Sequence, residues 1–482
     1  MYHNTKYFQK RNNNKLSKFF DYETEGAKNL KNTANFYIRN TMTGIKKDKP
    51  TQNEQEVLDT VFSNIEPINK KLRENYDKKI AKIKKDKNLS EEEKQRKIKR
   101  THLKQFKAPT KEKWFLSYEF LDALFRHINL PEYRAIESHI AQKAIREVTD
   151  SWISYFESLK EYNKNPERYT GKPKIPGYIK KDRSTAIVTN QLAYISNGVL
   201  HLPNKNKFNI SGHVPKGKFI EARIKPYYNG YQINIITDDE KSPVMSKDKG
   251  YLLLDPGLEN FLTITDNLGG NPIIIKGGVF KSVNQYFNKT KADLVSILTK
   301  GQENSSYTPT KRLNNLSMYR DRFFDDAFYK VSHRIARIAV QRTCGKIIIG
   351  KNDFQKQKIN LGHLTNQNFV CIPMSRFLQI LKTVALKYGI EVIEQEESYT
   401  SKASFLDRDK IPTYKKGHHH NNFSGKRIHR GLYRSKDGTL LNADVNGSLN
   451  IGRKHNGHMF RKMKSYENLN NIEVITYKEL YK

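Results

Sequence analysis

Two acidic residues stand where a side chain is offered to a ligand rather than to a core. Asp255 closes the apolar run YLLLD (251–255), and Pro-Gly turns the chain straight after it. A carboxylate at the C-terminal lip of a buried strand is placed for ligand chemistry, its oxygens being hard donors. Asp-Pro-Gly is equally a good turn, so this position alone leaves both readings open. The second acid is Asp444, in LNADVNGSLNIGRK (441–454), where Asn442, Asp444, Asn446 and Asn450 open a helix. Capping of a helix start accounts for one Asp or Asn there. It accounts less well for Asp444 when Asn450 follows and Ala, Leu and Ile fill the core face.

The elements that must position these acids have a strand–helix grammar. YLLLD, FLTITD and PIIIKG predict three consecutive strands. A long basic helical region (281–342) leads to a fourth strand, KIIIG (346–350). MSRFLQILKTVALKYG (374–389) predicts a helix with a Gly stop, and IEVIEQEE (390–397) a fifth strand. That order suggests an α/β sheet with its working edge at the strand ends.

The first half has a different character. Ala27, Leu30, Ala34, Tyr37 and Ile38 fall at helical intervals, and a charge-dense hairpin of helices is expected over 64–107. Within it, Asn88-Leu89-Ser90 and then Glu91–Glu93 form a turn with an acidic helix start. An amphipathic pattern resumes over 115–160, and the helices end at PERYTGKPKIPGYIKKDR (166–183). TAIVTN, FIEARIKP and GYQINIIT, with a hairpin signal at Tyr228-Asn229-Gly230, predict a small β-barrel up to about 247.

Composition narrows the partners. Lys and Arg total 87 against 50 Asp and Glu, a formal charge of +37 spread from end to end. A polyanion is the expected partner of such a chain. The 27 Tyr and 24 Phe interleaved with the cations suit single strands and splayed bases. A ribosomal or architectural protein would satisfy this composition as well as an enzyme. Only Cys344 and Cys371 are present, which excludes a disulfide framework and a four-cysteine zinc site. No apolar run approaches the roughly 20 residues of a membrane span, and MYHNTKYFQKRNNNK has no apolar core of a secretory signal. A cytoplasmic, nucleoid-associated prokaryotic protein with no membrane partner is the expectation.

LLLDPGLENFLTITD (252–266) and LNADVNGSLNIGRK resemble the first and third RuvC motifs of the TnpB family, transposon-encoded RNA-guided DNA nucleases related to compact type V CRISPR effectors. The stretch from GKNDFQ (350–355) to SFLD (404–407), SGKRIHRGLYRSKDG (424–438) and PERYTGKPKIPGYIKK (166–181) resemble it too, so that the likeness covers roughly 140–460. It implies a multidomain α+β protein: an RNase H-like (RuvC) α/β nuclease domain with a helical recognition lobe and a small β-barrel (wedge) module. The expected division is an N-terminal segment (1–20) belonging with the wedge, a helical recognition domain (21–180) and the wedge (181–247). RuvC follows in two parts (248–400 and 441–482), separated by a target nucleic-acid-binding insertion (401–440). The implied partners are a guide RNA, target double-stranded DNA and its displaced strand, bound by a monomer or a homodimer. The implied chemistry is an Asp, Glu, Asp cluster holding two Mg²⁺ ions, with Mn²⁺ as substitute, about 4 Å apart across a scissile phosphate.

The chain departs from the family in two places. The family's Glu ends the fourth strand, where this sequence has Gly350. The fifth strand offers Glu394, Glu396 and Glu397 only about 4.8 Å further away. Alternation puts Glu394 and Glu396 on one face and leaves Glu397 at the catalytic edge, so the expected catalytic and metal-holding set is Asp255, Glu397 and Asp444, with Asp353 in reserve. The paired cysteines of a zinc ribbon are also absent, Ala403 standing where the first is expected. Three adjacent histidines (His418–His420) cannot all face one ion, so zinc is not expected even with His429 nearby. Expected nucleic-acid contacts are Lys174 and Tyr178, then Arg320, Lys330, Arg334 and Arg337 on one exposed helix face, and Lys402, Arg427, Arg430 and Arg434. The rival readings are a nuclease-dead RNA-guided DNA-binding repressor, favoured by Gly350, and a guide-independent transposase.

Overall fold

The computed structural model describes residues 2–240, 243–301, 306–351, 372–413, 422–461, 463 and 466–481. The chain divides into two compact units, Met1–Lys241 and Ser242–Lys482.

The first unit opens with strand β1 (Tyr2–Lys10) and continues in helices α1 (Lys15–Gly44), α2 (Gln52–Lys85), α3 (Glu91–Arg100), α4 (Tyr118–His127), α5 (Pro131–Arg134) and α6 (Ser138–Lys164). The helix starts are locally encoded. Thr51 and Glu54 form a reciprocal capping box on α2, and Ser90 and Glu93 one on α3. Helix α1 buries Ala27, Leu30, Ala34 and Ile38 against α6, whose Trp152 donates to Asn35 Oδ1 (2.9 Å). Asn35 in turn donates to the Pro176 and Gly177 carbonyls, and Asn32 pairs with the backbone of Ile179. The basic segment after the helices is thereby stapled along α1.

Strands β2 (Ala186–Thr189), β3 (Tyr194–Ser196), β4 (Val199–Leu202), β5 (Asn206–Asn209), β6 (Lys218–Tyr227) and β7 (Gly230–Asp238) complete this unit. They form two open antiparallel sheets, β1-β7-β6-β2 and β3-β4-β5, where the sequence reading expected one barrel over 181–247. With four residues against nine in β1, β2 offers too short a ladder to close the sheet on itself.

The second unit holds a six-stranded sheet in the order β12-β11-β8-β9-β10-β16. Strands β8 (Gly250–Pro256), β9 (Asn260–Asp266) and β10 (Ile273–Lys276) run antiparallel in succession. Helices α7 (Gly278–Thr299) and α8 (Lys311–Gln341) then carry the chain to β11 (Cys344–Lys351), parallel to β8. After α9 (Met374–Lys387), β12 (Glu391–Glu396) lies parallel to β11. A small sheet, β13 (Lys426–His429), β14 (Leu432–Arg434) and β15 (Leu440–Asn442), leads into α10 (Ala443–His455). Strand β16 (Glu473–Ile475) closes the far edge beside β10, an element too short to show in the hydrophobic pattern.

Alternation along the strands divides the core. Leu252, Leu254, Ile347 and Ile349 face α8 and α9, while Leu253 and Ile348 face α10. Helix α10 lies close on the sheet because its inner residues are small. Ser448 donates to the Leu253 carbonyl (3.1 Å), and a Cβ on Gly452 would meet Leu253 Cδ1 at 2.5 Å. Among the described residues, no helix is long and apolar enough to cross a membrane.

Candidate active site

Strand β8 delivers Asp255 beside β9, where it stands opposite Thr263. Helix α10 brings Gly447 against it: a Cβ there would lie 2.6 Å from Asp255 Oδ2. Only a hydrogen fits between helix and carboxylate at that point. Burial and the neighbouring charges of Glu397 and Asp444 hold the Asp255 carboxyl well above the usual carboxylate range, and Arg427 opposes them.

Gly350 opens the approach from the other side. It ends the buried part of β11, and a Cβ added there would lie 2.5 Å from Glu397 Oε2 and 2.7 Å from Ile451 Cδ1. The volume above Gly350 is thus filled by the Glu397 carboxylate. The backbone holds it there: Glu397 N–H donates to the Lys351 carbonyl (3.3 Å), and the Glu397 carbonyl accepts from the Thr400 hydroxyl (2.8 Å).

The three glutamates of EQEE have separate surroundings. Glu394 pairs with Lys351 (2.9 Å) and Lys382 of α9 (2.5 Å). Glu396 pairs with Lys454 of α10 (2.5 Å) and accepts from Ser398 N–H. The lysines hold both carboxyls below the ordinary range, against the effect of burial. The sequence reading put Glu394 and Glu396 on one face. Instead they reach helices on opposite faces of the sheet, because Glu396 is the last residue of β12 and turns toward Lys454 where the pleat ends.

Asp444 stands at the start of α10 but does not cap it. Asn442 does, accepting from the Asp444 and Val445 N–H groups. The Asp444 carboxylate is left to face the site, where Asn260 Nδ2 donates to it at 2.7 Å and Arg427 at 3.1 Å. Asn260 was missed in the sequence. Its signal is its place at the start of β9, at the end of the tight turn that follows Asp255. Deeper in α10, Asn446 and Asn450 both donate to the Ala403 carbonyl, tying the segment after Glu397 to the helix that carries Asp444.

The set is chemically suited to a hard divalent cation, with carboxylates of three elements around a glycine-cleared space and one of them held up by like charge. Among the described residues, no group of three His, Cys, Asp or Glu side chains is placed so that it could hold a metal ion. Asp353 and His418–His420 lie outside the described residues.

The expected nucleic-acid residues are dispersed. Lys174 is exposed, and the exposed Tyr178 ring lies 5.0 Å from the Arg39 guanidinium. Of the four residues expected on α8, Arg337 alone is exposed. Arg320 folds back to Asn284 (2.8 Å) and over the Phe287 and Phe324 rings, Lys330 pairs with Asp326, and Arg334 lies 3.9 Å from Glu473. Helix α7 and strand β16 supply the partners of Arg320 and Arg334, and Asp326 of α8 itself supplies that of Lys330, so three of the four cations leave the single exposed face read in the sequence. Lys402, Arg427, Arg430 and Arg434 are all exposed, and Arg427 pairs with Asp444.

Comparison with known proteins agrees in part with these features. The family description "Cas12f1-like, TNB domain" matches residues 375–451, which span α9, β12 and most of α10. No curated protein matches the sequence. Among solved structures, a Cas12f1–sgRNA–target DNA complex is similar at 13% identity and a TM-score of 0.46, over 80% of this chain and 81% of that one. A CRISPR–Cas12f ternary complex is similar at 13% identity and a TM-score of 0.28, over 83% and 82%.

Proposed function

We propose that this chain is an RNA-guided DNA endonuclease of the compact type V kind, cutting at an RNase H-like (RuvC) site formed by Asp255, Glu397 and Asp444. The single observation that carries the reading is the filling of the space above Gly350 by the Glu397 carboxylate, beside Asp255. It supplies the acid whose loss from β11 would otherwise argue for a silent protein. The match over 375–451 and the charge of +37 support a nucleic-acid-directed role. In this reading the first unit contributes guide and flanking-motif recognition, as helical lobe and wedge.

Asp255, Glu397 and Asp444 would hold Mg²⁺, or Mn²⁺ in its place. The ions would polarise a phosphodiester and supply the attacking water. The chain's own residues do the positioning. Gly350 and Gly447 keep side chains out of the carboxylates' space. Asn260 fixes one oxygen of Asp444, and Arg427 brings a cation beside the acids, placed to meet the charge of a phosphate. Base pairing with the bound RNA would choose the target.

The decisive experiment is to purify the full chain with its co-purifying RNA, sequence that RNA, and offer matched DNA with Mg²⁺. Cleavage lost in Asp255→Asn and in Glu397→Gln, with binding retained, supports the reading. Matched binding with no cleavage by the unaltered protein in Mg²⁺ or Mn²⁺ would instead establish the repressor reading, which the Arg427–Asp444 ion pair favours. Absence of any bound RNA would leave the transposase.

A further inference from the structure

Helix α10 has a second end, and it faces a different kind of site. Arg453 lies nine positions beyond Asp444, about 14 Å along the axis. Around it is a recess of about 490 Å³, a volume in the range of small-ligand pockets. Arg408, Lys410, Arg453 and Arg461 all line it. Among the described residues the one lining carboxylate, Asp409, is engaged by Ser404 N–H (2.8 Å) and by the Ser424 hydroxyl (2.6 Å). Lys454 also borders the recess but is held by Glu396.

Arg453 is the unusual member. Its Nη2 donates to the Asp409 carbonyl (2.5 Å), while its Nη1 is shut off from solvent and has no hydrogen-bond partner among the described residues. A buried charged donor left unpaired is destabilising, and is found where a ligand completes the site. Burial pushes the guanidinium down to about 10, the charge of Asp409 opposes it, and Arg408 adds to it. The wall beside it is aromatic. Phe405 lies 6.0 Å from the Arg453 guanidinium and packs edge-on against Phe460 (4.9 Å) and Tyr466 (5.8 Å). Tyr466 is 39% exposed and presents its ring to the opening.

We infer that this recess binds a phosphate and its adjoining base from a single-stranded nucleic acid, with Arg453 and Arg461 on the phosphate and Tyr466 stacked on the base. Guanidinium groups match phosphate geometry, and stacking on an aromatic ring tolerates any base. None of these residues belongs to the acid cluster, so the recess is a second binding site. The inference rests on the proposed nucleic-acid function only in taking RNA or DNA as the partner.

The test uses the RNA-loaded full chain and two fluorescent 12-nucleotide probes carrying 5-iodouracil, one RNA and one DNA. Ultraviolet crosslinking and peptide mapping should place one probe on the peptide containing Tyr466, and the probe that reacts identifies the strand. Tyr466→Ala should remove that crosslink. Arg453→Gln should weaken binding about tenfold, and the exposed Arg461→Ala should lower the salt slope of binding by about one ion. Arg461→Ala and Tyr466→Ala keep the test valid if Arg453→Gln fails to fold. Crosslinks that map elsewhere, unchanged affinity and slope in both exposed variants, or displacement of the probes by a polyglutamate peptide but not by unlabelled strand would overturn the inference. No crosslink at Tyr466 in the unaltered protein, with target cleavage intact, counts against the recess alone. Cleavage absent with the crosslink present counts against the nuclease reading alone.

Discussion

Two acids, one in each unit, are driven toward the neutral form by the same physics, yet their surroundings differ. Glu23 of α1 is buried, one of its oxygens has no partner among the described residues, and burial with the nearby charge of Glu137 pushes its carboxyl up to about 7. Asp255 is pushed up by burial and by two other acids. What separates them is company. Glu23 packs beside Ile136, whose Cγ2 a Cβ on Gly26 would meet at 2.2 Å, and Phe19 lines the same recess. Asp255 is approached by glycine on one side and stands within the charge of acids from two other elements. A raised carboxyl alone does not mark a reactive centre. Convergence of several acids from separate elements is the feature on which the proposed site rests.

The sharpest way to break that contrast is Asp255→Asn. It should abolish metal-dependent cleavage, a fall of at least about a thousandfold in rate, while leaving RNA and DNA affinity within about twofold. Measured cleavage within tenfold of the unaltered protein would remove Asp255 from the chemistry. Next comes Gly350→Ala, whose new methyl group must displace Glu397 or Ile451. A shift of about 1 Å in a catalytic group lowers rates about a hundredfold, and that loss is expected in single-turnover cleavage. The double variant Gly350→Glu with Glu397→Gly returns the acid to β11 and should recover part of the rate. No recovery would count against a shared position in space.

Glu23→Gln probes the other side of the comparison. The unfolded chain ionises this group near 4.5, whereas the folded one resists until about 7. Its destabilising effect is therefore absent below about pH 4.5, grows as pH rises, and is complete above about 7. The variant should gain about 1–3 kcal/mol over the unaltered protein at pH 8 and nothing near pH 4.5, read by urea denaturation at the two values. Equal gains at both would show that ionisation is not the cause. The smallest effect is expected of Thr51→Ala, which breaks the capping box of α2 at a cost of about 1 kcal/mol with cleavage unaltered.

Legibility in the sequence followed locality. Strands 251–255 and 346–350, the helix over 374–389 and the capped starts at Thr51 and Ser90 are written in neighbouring residues. The places of Asp255 and Asp444 could be read for the same reason, one from an apolar run ending in Pro-Gly and the other from an Asn-rich helix start. Glu397 was harder, because nothing nearby separates it from Glu394 and Glu396. Lysines from α9, α10 and β11 make that separation, and only folding brings them in. Arg320 and Arg334 were misread as exposed for a like reason, their partners Asn284 and Glu473 being distant in sequence. Arg453 gave no warning, since a cation at the C-terminal end of a helix is ordinary.

The glycine at 350 has a consequence for how such centres are recognised. A carboxylate reaching over a bare backbone from the adjacent strand occupies the volume that a side chain on the glycine's own strand would have filled. Any pattern that demands an acid in the column of Gly350 would score this chain as lacking one. In the proposed site the feature held constant is a location among three elements, and the strand that delivers the oxygen is free to change. A search template for this kind of centre is better written as a set of points in space, each open to more than one address in the chain.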